Sequence, residues 1–153
     1  SVLRLSSSID QSESITKVKA KANGQIIINP NKGLKWGWPS QHRRFARSQL
    51  GGGIGLSFKG VLGETVKAAA SGTVVYSGNG LRGYGELLII QHAGNFLSAY
   101  GHNQKLFVSE GDFVTLGEKI ATMGKTGSKE VNLYFEIRQK GKPVDAFNHL
   151  PEK

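Results

Sequence analysis

Asn132, Tyr134, Glu136 and Arg138 recur at every second position and alternate with the apolar Leu133, Phe135 and Ile137. A period of two is the pattern of a half-buried strand, because successive side chains point to opposite faces. Leu133, Phe135 and Ile137 then make a core, and the polar set lines a surface or groove whose composition decides what it does. Tyrosine and arginine are among the residue types most enriched at binding hot spots, which suits Tyr134 and Arg138 to docking a partner. The histidines, His42, His92, His102 and His149, show neither the His-x-His nor the i,i+4 spacing of metal sites. With no carboxylate or second histidine at ligand spacing, His102 in Tyr100-Gly101-His102-Asn103 reads as a hydrogen-bonding residue that shapes the groove. The run Gly51-Gly52-Gly53-Ile54-Gly55 lacks the Gly-Lys-Ser/Thr ending of a phosphate loop, and no helical pattern follows it.

Positioning such residues requires a β scaffold. Short strand-like runs separated by turn signals are expected at Thr65–Ala70, Gly72–Ser77, Glu86–His92, Phe96–His102, Lys105–Val108, Lys119–Met123 and Val131–Arg138. That spacing predicts an all-β, antiparallel domain. Ala93-Gly94-Asn95 joins two of the runs as a hairpin. Gly63-Glu64-Thr65-Val66 and Gly111-Asp112-Phe113-Val114 form a quasi-repeat of glycine, acid, any residue, valine. The basic run His42–Arg47 is expected to be a solvated loop. Residues 1–35 read as a basic linker or extension with one short strand at Gln25–Ile28, and the domain is expected to span 36–153, opening on Trp36-Gly37-Trp38-Pro39 with both rings anchored in the core.

A chain of 153 residues has room for one domain with a substantial core. The absence of cysteine suits an oxidising compartment. No apolar run approaches the ~20 residues of a membrane-spanning helix. The chain begins at Ser1 with no charged-then-apolar leader, which reads as a mature or trimmed form. Of the net charge of +9, seven units fall in residues 1–50. A basic leading segment reads either as a contact for a polyanion such as nucleic acid, anionic lipid or anionic wall polymer, or as a solvated linker.

Phe135-Glu136-Ile137-Arg138 resembles the last signature of the lysostaphin-type (LytM) zinc endopeptidases, in which Phe-Glu-Ile-Arg follows His-x-His. Asn132 and Tyr134 stand where those two histidines would be. Counting back from Gly63 sets Gly53 at the histidine and Ser57 at the aspartate of the first signature, His-x-x-x-Asp. Tyr100-Gly101-His102 matches the third, whose histidine sits beside the metal. The resemblance covers roughly residues 36–150 and implies a double-sheet fold related to the barrel-sandwich hybrid of biotin and lipoyl carriers. Leu81-Arg82-Gly83-Tyr84-Gly85, Lys119–Gly124, Gly141-Lys142-Pro143-Val144 and His149-Leu150-Pro151 are especially similar to degenerate members of the NlpD/EnvC type. Those proteins do not cut the wall. They activate periplasmic N-acetylmuramoyl-L-alanine amidases by docking and displacing an inhibitory segment from the amidase zinc site.

By that resemblance Gly53, Ser57, His102, Asn132 and Tyr134 are degenerate active-site positions, with no metal and no cofactor. Tyr84, Tyr100, His102, Tyr134 and Arg138 are the expected docking residues. An amidase is the expected partner, with peptidoglycan as a second and no nucleic acid. The location implied is the periplasm or cell envelope, with an outer-membrane lipoprotein as the full-length form. Two other readings stay open: an enzyme that recruits zinc through His102 with Glu136 or His92, and a wall-binding or carrier module with Lys125 at a hairpin tip.

Overall fold

The computed structural model describes residues 34–152. What was read for residues 1–33, including the strand at Gln25–Ile28, lies outside the described residues. Among the described residues ten strands follow one another: β1 (Phe45–Leu50), β2 (Gly53–Lys59), β3 (Thr65–Lys67), β4 (Gly72–Gly78), β5 (Glu86–Gln91), β6 (Phe96–Leu106), β7 (Phe113–Val114), β8 (Lys119–Met123), β9 (Asn132–Gln139) and β10 (Lys142–Val144). The sheet runs β1-β2-β9-β6-β5-β4-β7, with β10 on β9 and β8 pairing both β3 and β6. Every one of these pairings is antiparallel, as the strand spacing predicts, and β5 and β6 form the expected hairpin across 93–95.

Two segments depart from the sequence reading. Part of the basic run is a strand: β1 pairs with β2 along its whole length, from Phe45 opposite Phe58 to Leu50 opposite Gly53. The aromatic in that run decides the matter, because the Phe45 ring packs 6.2 Å from Trp38 and 5.7 Å from Phe58. The glycine run is the hairpin turn between these strands. Gly51 and Gly52 have φ of 57° and 81°, the pair of positive values that a tight hairpin of this twist demands. Lys105 and Leu106, expected in a separate strand, complete β6, which carries an irregularity in its pairing with β8 between Asn103 and Lys105.

The quasi-repeat is one turn used three times. In each, a glycine at the third position has φ near 90° and the acid at the fourth caps the backbone N–H of the first. Val61 N–H donates to Glu64 Oε1, Ser109 N–H to Asp112 Oδ2 and Thr115 N–H to Glu118 Oε1, at 2.6, 2.8 and 3.0 Å. The acids also donate their own N–H groups back to the first carbonyls, so both ends of each turn are satisfied.

Apolar side chains gather on both faces of the sheet. Leu133, Phe135 and Ile137 join Leu56, Phe58, Leu88, Ile90 and Tyr100 in the larger core. Tyr134 joins Tyr76, Leu81, Tyr84, Leu87, Ile89 and Leu97 in a second cluster. The alternation of β9 is therefore as expected, but the strand is buried on both faces. Trp38 is buried and donates Nε1–H to Pro151 O at 3.1 Å; Trp36 is half-buried against His92 and Phe96.

Candidate functional site

β2 and β9 lie side by side, with Ser57 opposite Tyr134 and Lys59 opposite Asn132. Gly53, Gly55 and Ser57 therefore share one face with Asn132, Tyr134, Glu136 and Arg138. On this face Ser57 Oγ–H donates to Asn132 Oδ1 at 2.9 Å. The Asn132 amide nitrogen donates to Ser128 Oγ and Glu130 O, both at 2.9 Å. A carbonyl only accepts, so the amide orientation is fixed and the Ser57 proton is committed to Asn132.

Beside this pair the face is filled. Tyr134 O–H donates to Glu136 Oε1 at 2.7 Å, and Arg138 Nε–H donates to Glu136 Oε2. All three side chains are at most 1% exposed. Burial pushes the Glu136 carboxyl up, and the Arg138 guanidinium and the two hydrogen bonds offset part of that rise. Burial, with the Glu136 charge next, drives the Tyr134 phenol well above its usual range. The facing strand makes room by having no side chains. A Cβ on Gly53 would stand 2.3 Å from Glu136 Oε1, and one on Gly55 would stand 2.7 Å from Tyr134 Cζ and 2.6 Å from Phe135 O.

His102 sits at the rim of this layer with φ of 67°, a left-handed conformation uncommon outside glycine. Its N–H donates to Tyr84 O at 2.7 Å, and its Nδ1–H donates to Thr126 O at 2.7 Å. Burial pushes its pKa down, so the ring is neutral with Nε2 as the acceptor. Thr126 also ties the neighbouring loops together: Oγ1 accepts from Glu86 N–H and donates to Asn103 O. The loop between β4 and β5 folds Leu81 and Tyr84 onto the layer, with the Tyr84 ring 5.9 Å from Tyr134 and its hydroxyl donating to Leu50 O at 3.2 Å.

Tyr100 lies on the other face, its ring 5.4 Å from Phe135. It belongs to a directed chain. Ala69 N–H donates to Tyr100 Oη at 2.9 Å, Tyr100 to Ser98 Oγ at 2.8 Å and Ser98 to His92 Nε2 at 2.7 Å. His92 Nδ1–H ends it on Ser71 O at 2.7 Å. The carbonyl at the end fixes the direction of every link. Burial pushes Tyr100 up to about 12 and His92 down to about 4.

The structure thus brings Gly53, Ser57, Asn132, Tyr134 and His102 to one region, and it buries all five expected docking residues, Tyr84, Tyr100, His102, Tyr134 and Arg138. Tyr84, Tyr100, Tyr134 and Arg138 are at most 1% exposed. The reason is coverage on both sides of β9: the loop bearing Leu81 and Tyr84 lies over one face, and the main core lies under the other. The donors of the alternative zinc reading are engaged in hydrogen bonds: His92 with Ser71 and Ser98, His102 Nδ1–H with Thr126 O, and Glu136 with Tyr134 and Arg138. Among the described residues no three His, Cys, Asp or Glu side chains lie close enough to hold a metal ion. Gly55, Lys59 and Thr126 escaped the sequence reading. Lys59 was accessible to it, being two residues beyond Ser57 and so on the same strand face.

The model of Peptidase family M23 matches residues 52–146 of the chain. The chain is 50% identical over 130 residues to a protein named lipoprotein NlpD/LppB homolog of Pseudomonas aeruginosa, covering 84% of this chain and 43% of that one. It is 46% identical over 121 residues to murein hydrolase activator NlpD of Escherichia coli, covering 77% and 32%. The chain therefore spans less than half the length of these relatives. Among solved structures, a zinc-containing peptidase from Vibrio cholerae superposes with a TM-score of 0.65 at 26% identity, over 73% of this chain and 39% of that one. The catalytic domain of lysostaphin from Staphylococcus simulans superposes with a TM-score of 0.56 at 26% identity, over 76% and 88%. A family match over most of the described strands, carried on the same fold as zinc peptidases, makes this chain a member of Peptidase family M23.

Proposed function

We propose that this chain is a non-cleaving M23 domain that activates an N-acetylmuramoyl-L-alanine amidase during cell-wall splitting, by docking on it in the periplasm. What carries this reading is the chemistry of the three positions that the resemblance sets at the zinc ligands, Gly53, Ser57 and Tyr134. A catalytic zinc needs three protein donors and an open position for water. Gly53 has no donor, and the space beside it holds Glu136 Oε1. The Ser57 proton is committed to Asn132, and the Tyr134 oxygen is held protonated by Glu136 in a buried layer. This donor set does not fit zinc. Asn132 at the remaining histidine position is likewise spent on Ser57, Ser128 and Glu130.

The names of the relatives support the activator role, and names such as outer membrane antigenic lipoprotein B of Haemophilus influenzae support the envelope location. Residues 1–35 are read as a basic extension and 36–153 as the activating domain. The test mixes the purified chain with a purified amidase on dye-labelled wall sacculi, each alone and together. Dye release is expected only from the mixture. Release by the chain alone, with one zinc per chain surviving dialysis, overturns the reading in favour of an enzyme.

A further inference from the structure

The buried layer leaves a different surface accessible. A cavity of about 320 Å³ opens beside Ser57, lined by His42, Arg44, Phe45, Ala46, Ser57 and Lys59. Its cations are Arg44, the residue before β1, and Lys59, the last residue of β2. Ala46 is opposite Ser57 and Phe45 opposite Phe58, so Arg44 and Lys59 continue the same antiparallel register one step further. Both are exposed, and neither has an ion-pair partner among the described residues. Like charges directly opposite on an antiparallel pair repel, and here no acid lies between them to offset the repulsion. The third basic group is already held: His42 Nε2 lies 2.9 Å from Glu64 Oε2, and Glu64 also caps the turn at Val61. The Ser57 proton points away to Asn132, so within the cavity the hydroxyl offers acceptor lone pairs and the two cations supply the donors.

We propose that Arg44 and Lys59 form a carboxylate-binding pocket that receives an acidic side chain of the partner hydrolase. This rests on the activator reading above. An arginine fork offers a carboxylate two parallel hydrogen bonds, and the lysine adds a compact charge from the opposite strand. Phe45 and Ala46 supply an apolar wall for the methylenes of a glutamate. The volume lies at the small end of ligand cavities, which suits one side chain better than a glycan strand. The pocket also adjoins Ser57 and Asn132, at the edge of the layer where the peptidase signature has lapsed.

The test measures amidase binding and sacculus dye release for the whole chain and for Arg44→Glu, Lys59→Glu and a control, Lys119→Glu, which reverses an exposed cation outside the pocket. Each pocket reversal is expected to weaken amidase binding by about tenfold or more, to flatten its salt dependence and to leave the melting temperature unchanged. Wild-type affinity in both pocket variants overturns the pocket, and so does an equal loss in Lys119→Glu, which marks a bulk charge effect. Loss of sacculus retention with amidase binding intact assigns the carboxylate to a wall peptide and overturns the protein occupant. Failure of the unmodified chain to bind or stimulate the amidase is a separate result: it removes the activator reading itself, and this assignment with it.

Discussion

Tyr134 donates to Glu136 Oε1 across 2.7 Å, and neither side chain meets solvent. The two stand at i and i+2 on β9, with Arg138 at the next i+2, so one strand carries its own buried polar layer. Glycines at positions 53 and 55 of the neighbouring strand clear the volume that the layer occupies. One face of β9 thus carries a packed polar plug where the glycines of β2 leave room for it.

Arg138 then matters to folding before it matters to any partner. From its position on the polar face, Arg138→Ala is expected to leave the fold intact; its burial reverses that expectation. Removing one member of a buried ion pair strands the other charge and typically costs about 3–5 kcal/mol. For a domain of this size that lowers the melting temperature by roughly 10 °C or more. Thermal unfolding followed by circular dichroism checks it, and a melt within about 2 °C of wild type shows the pair to be weakly coupled to stability.

The hydroxyl of Tyr134 can be tested separately from its ring. Tyr134→Phe keeps the packing against Tyr84 but leaves Glu136 Oε1 without its donor. A buried acceptor left unsatisfied costs about 1–3 kcal/mol. Tyr134→Ala adds a cavity and is expected to cost about 3–5 kcal/mol. Equal losses in urea unfolding for the two variants would mean that the hydroxyl carries all of the effect and the ring none.

How far this was legible in the sequence depends on the residue. The alternation Asn132 to Arg138 gave the strand and its two faces, because period two is intrinsic to extended backbone. It could not show that both faces are covered, since the covering groups, Leu81, Tyr84 and Leu50, come from distant segments. Polar residues on a strand usually mean solvent; charged ones are fully buried almost only when paired. The opposite charges of Glu136 and Arg138 at i and i+2 were the available hint. Phe45 was hidden for a similar reason: four basic neighbours dominate the composition of 42–47, while one aromatic ring decides the packing.

The glycines opposite the plug give a steric prediction. A Cβ at Gly55 would meet the Phe135 carbonyl oxygen at 2.6 Å, and that backbone atom is held in the sheet. At Gly53 the closest atoms belong to side chains, Glu136 and Arg138, which have some freedom to shift. Overpacking costs about 1–3 kcal/mol. Gly55→Ala is therefore expected at or above the top of that range and Gly53→Ala within it. Denaturant midpoints in the reverse order contradict the steric account.

Acid sensitivity should come from His92, on the other side of the sheet. Its Nε2 accepts from Ser98 and its Nδ1–H donates to Ser71 O, so both nitrogens are used only while the ring is neutral. Protonating Nε2 would set an N–H against Ser98 Oγ and take away the acceptor of the Ser98 proton, while Tyr100 Oη already receives the Ala69 N–H. Burial holds the folded pKa at about 4, against 6.5 for the free side chain. The sign follows from that depression. Stability is fully present above pH 6.5, falls as pH drops through the interval, and is lost by about pH 4. At about 1.4 kcal/mol per pH unit the loss amounts to roughly 3 kcal/mol. Because carboxylates titrate nearby in pH, the measurement is the difference between wild type and His92→Gln in urea unfolding free energy at pH 7 and pH 4. Wild type should lose roughly 3 kcal/mol relative to the variant on acidification; a difference that stays constant between the two pH values refutes the buried neutral tautomer.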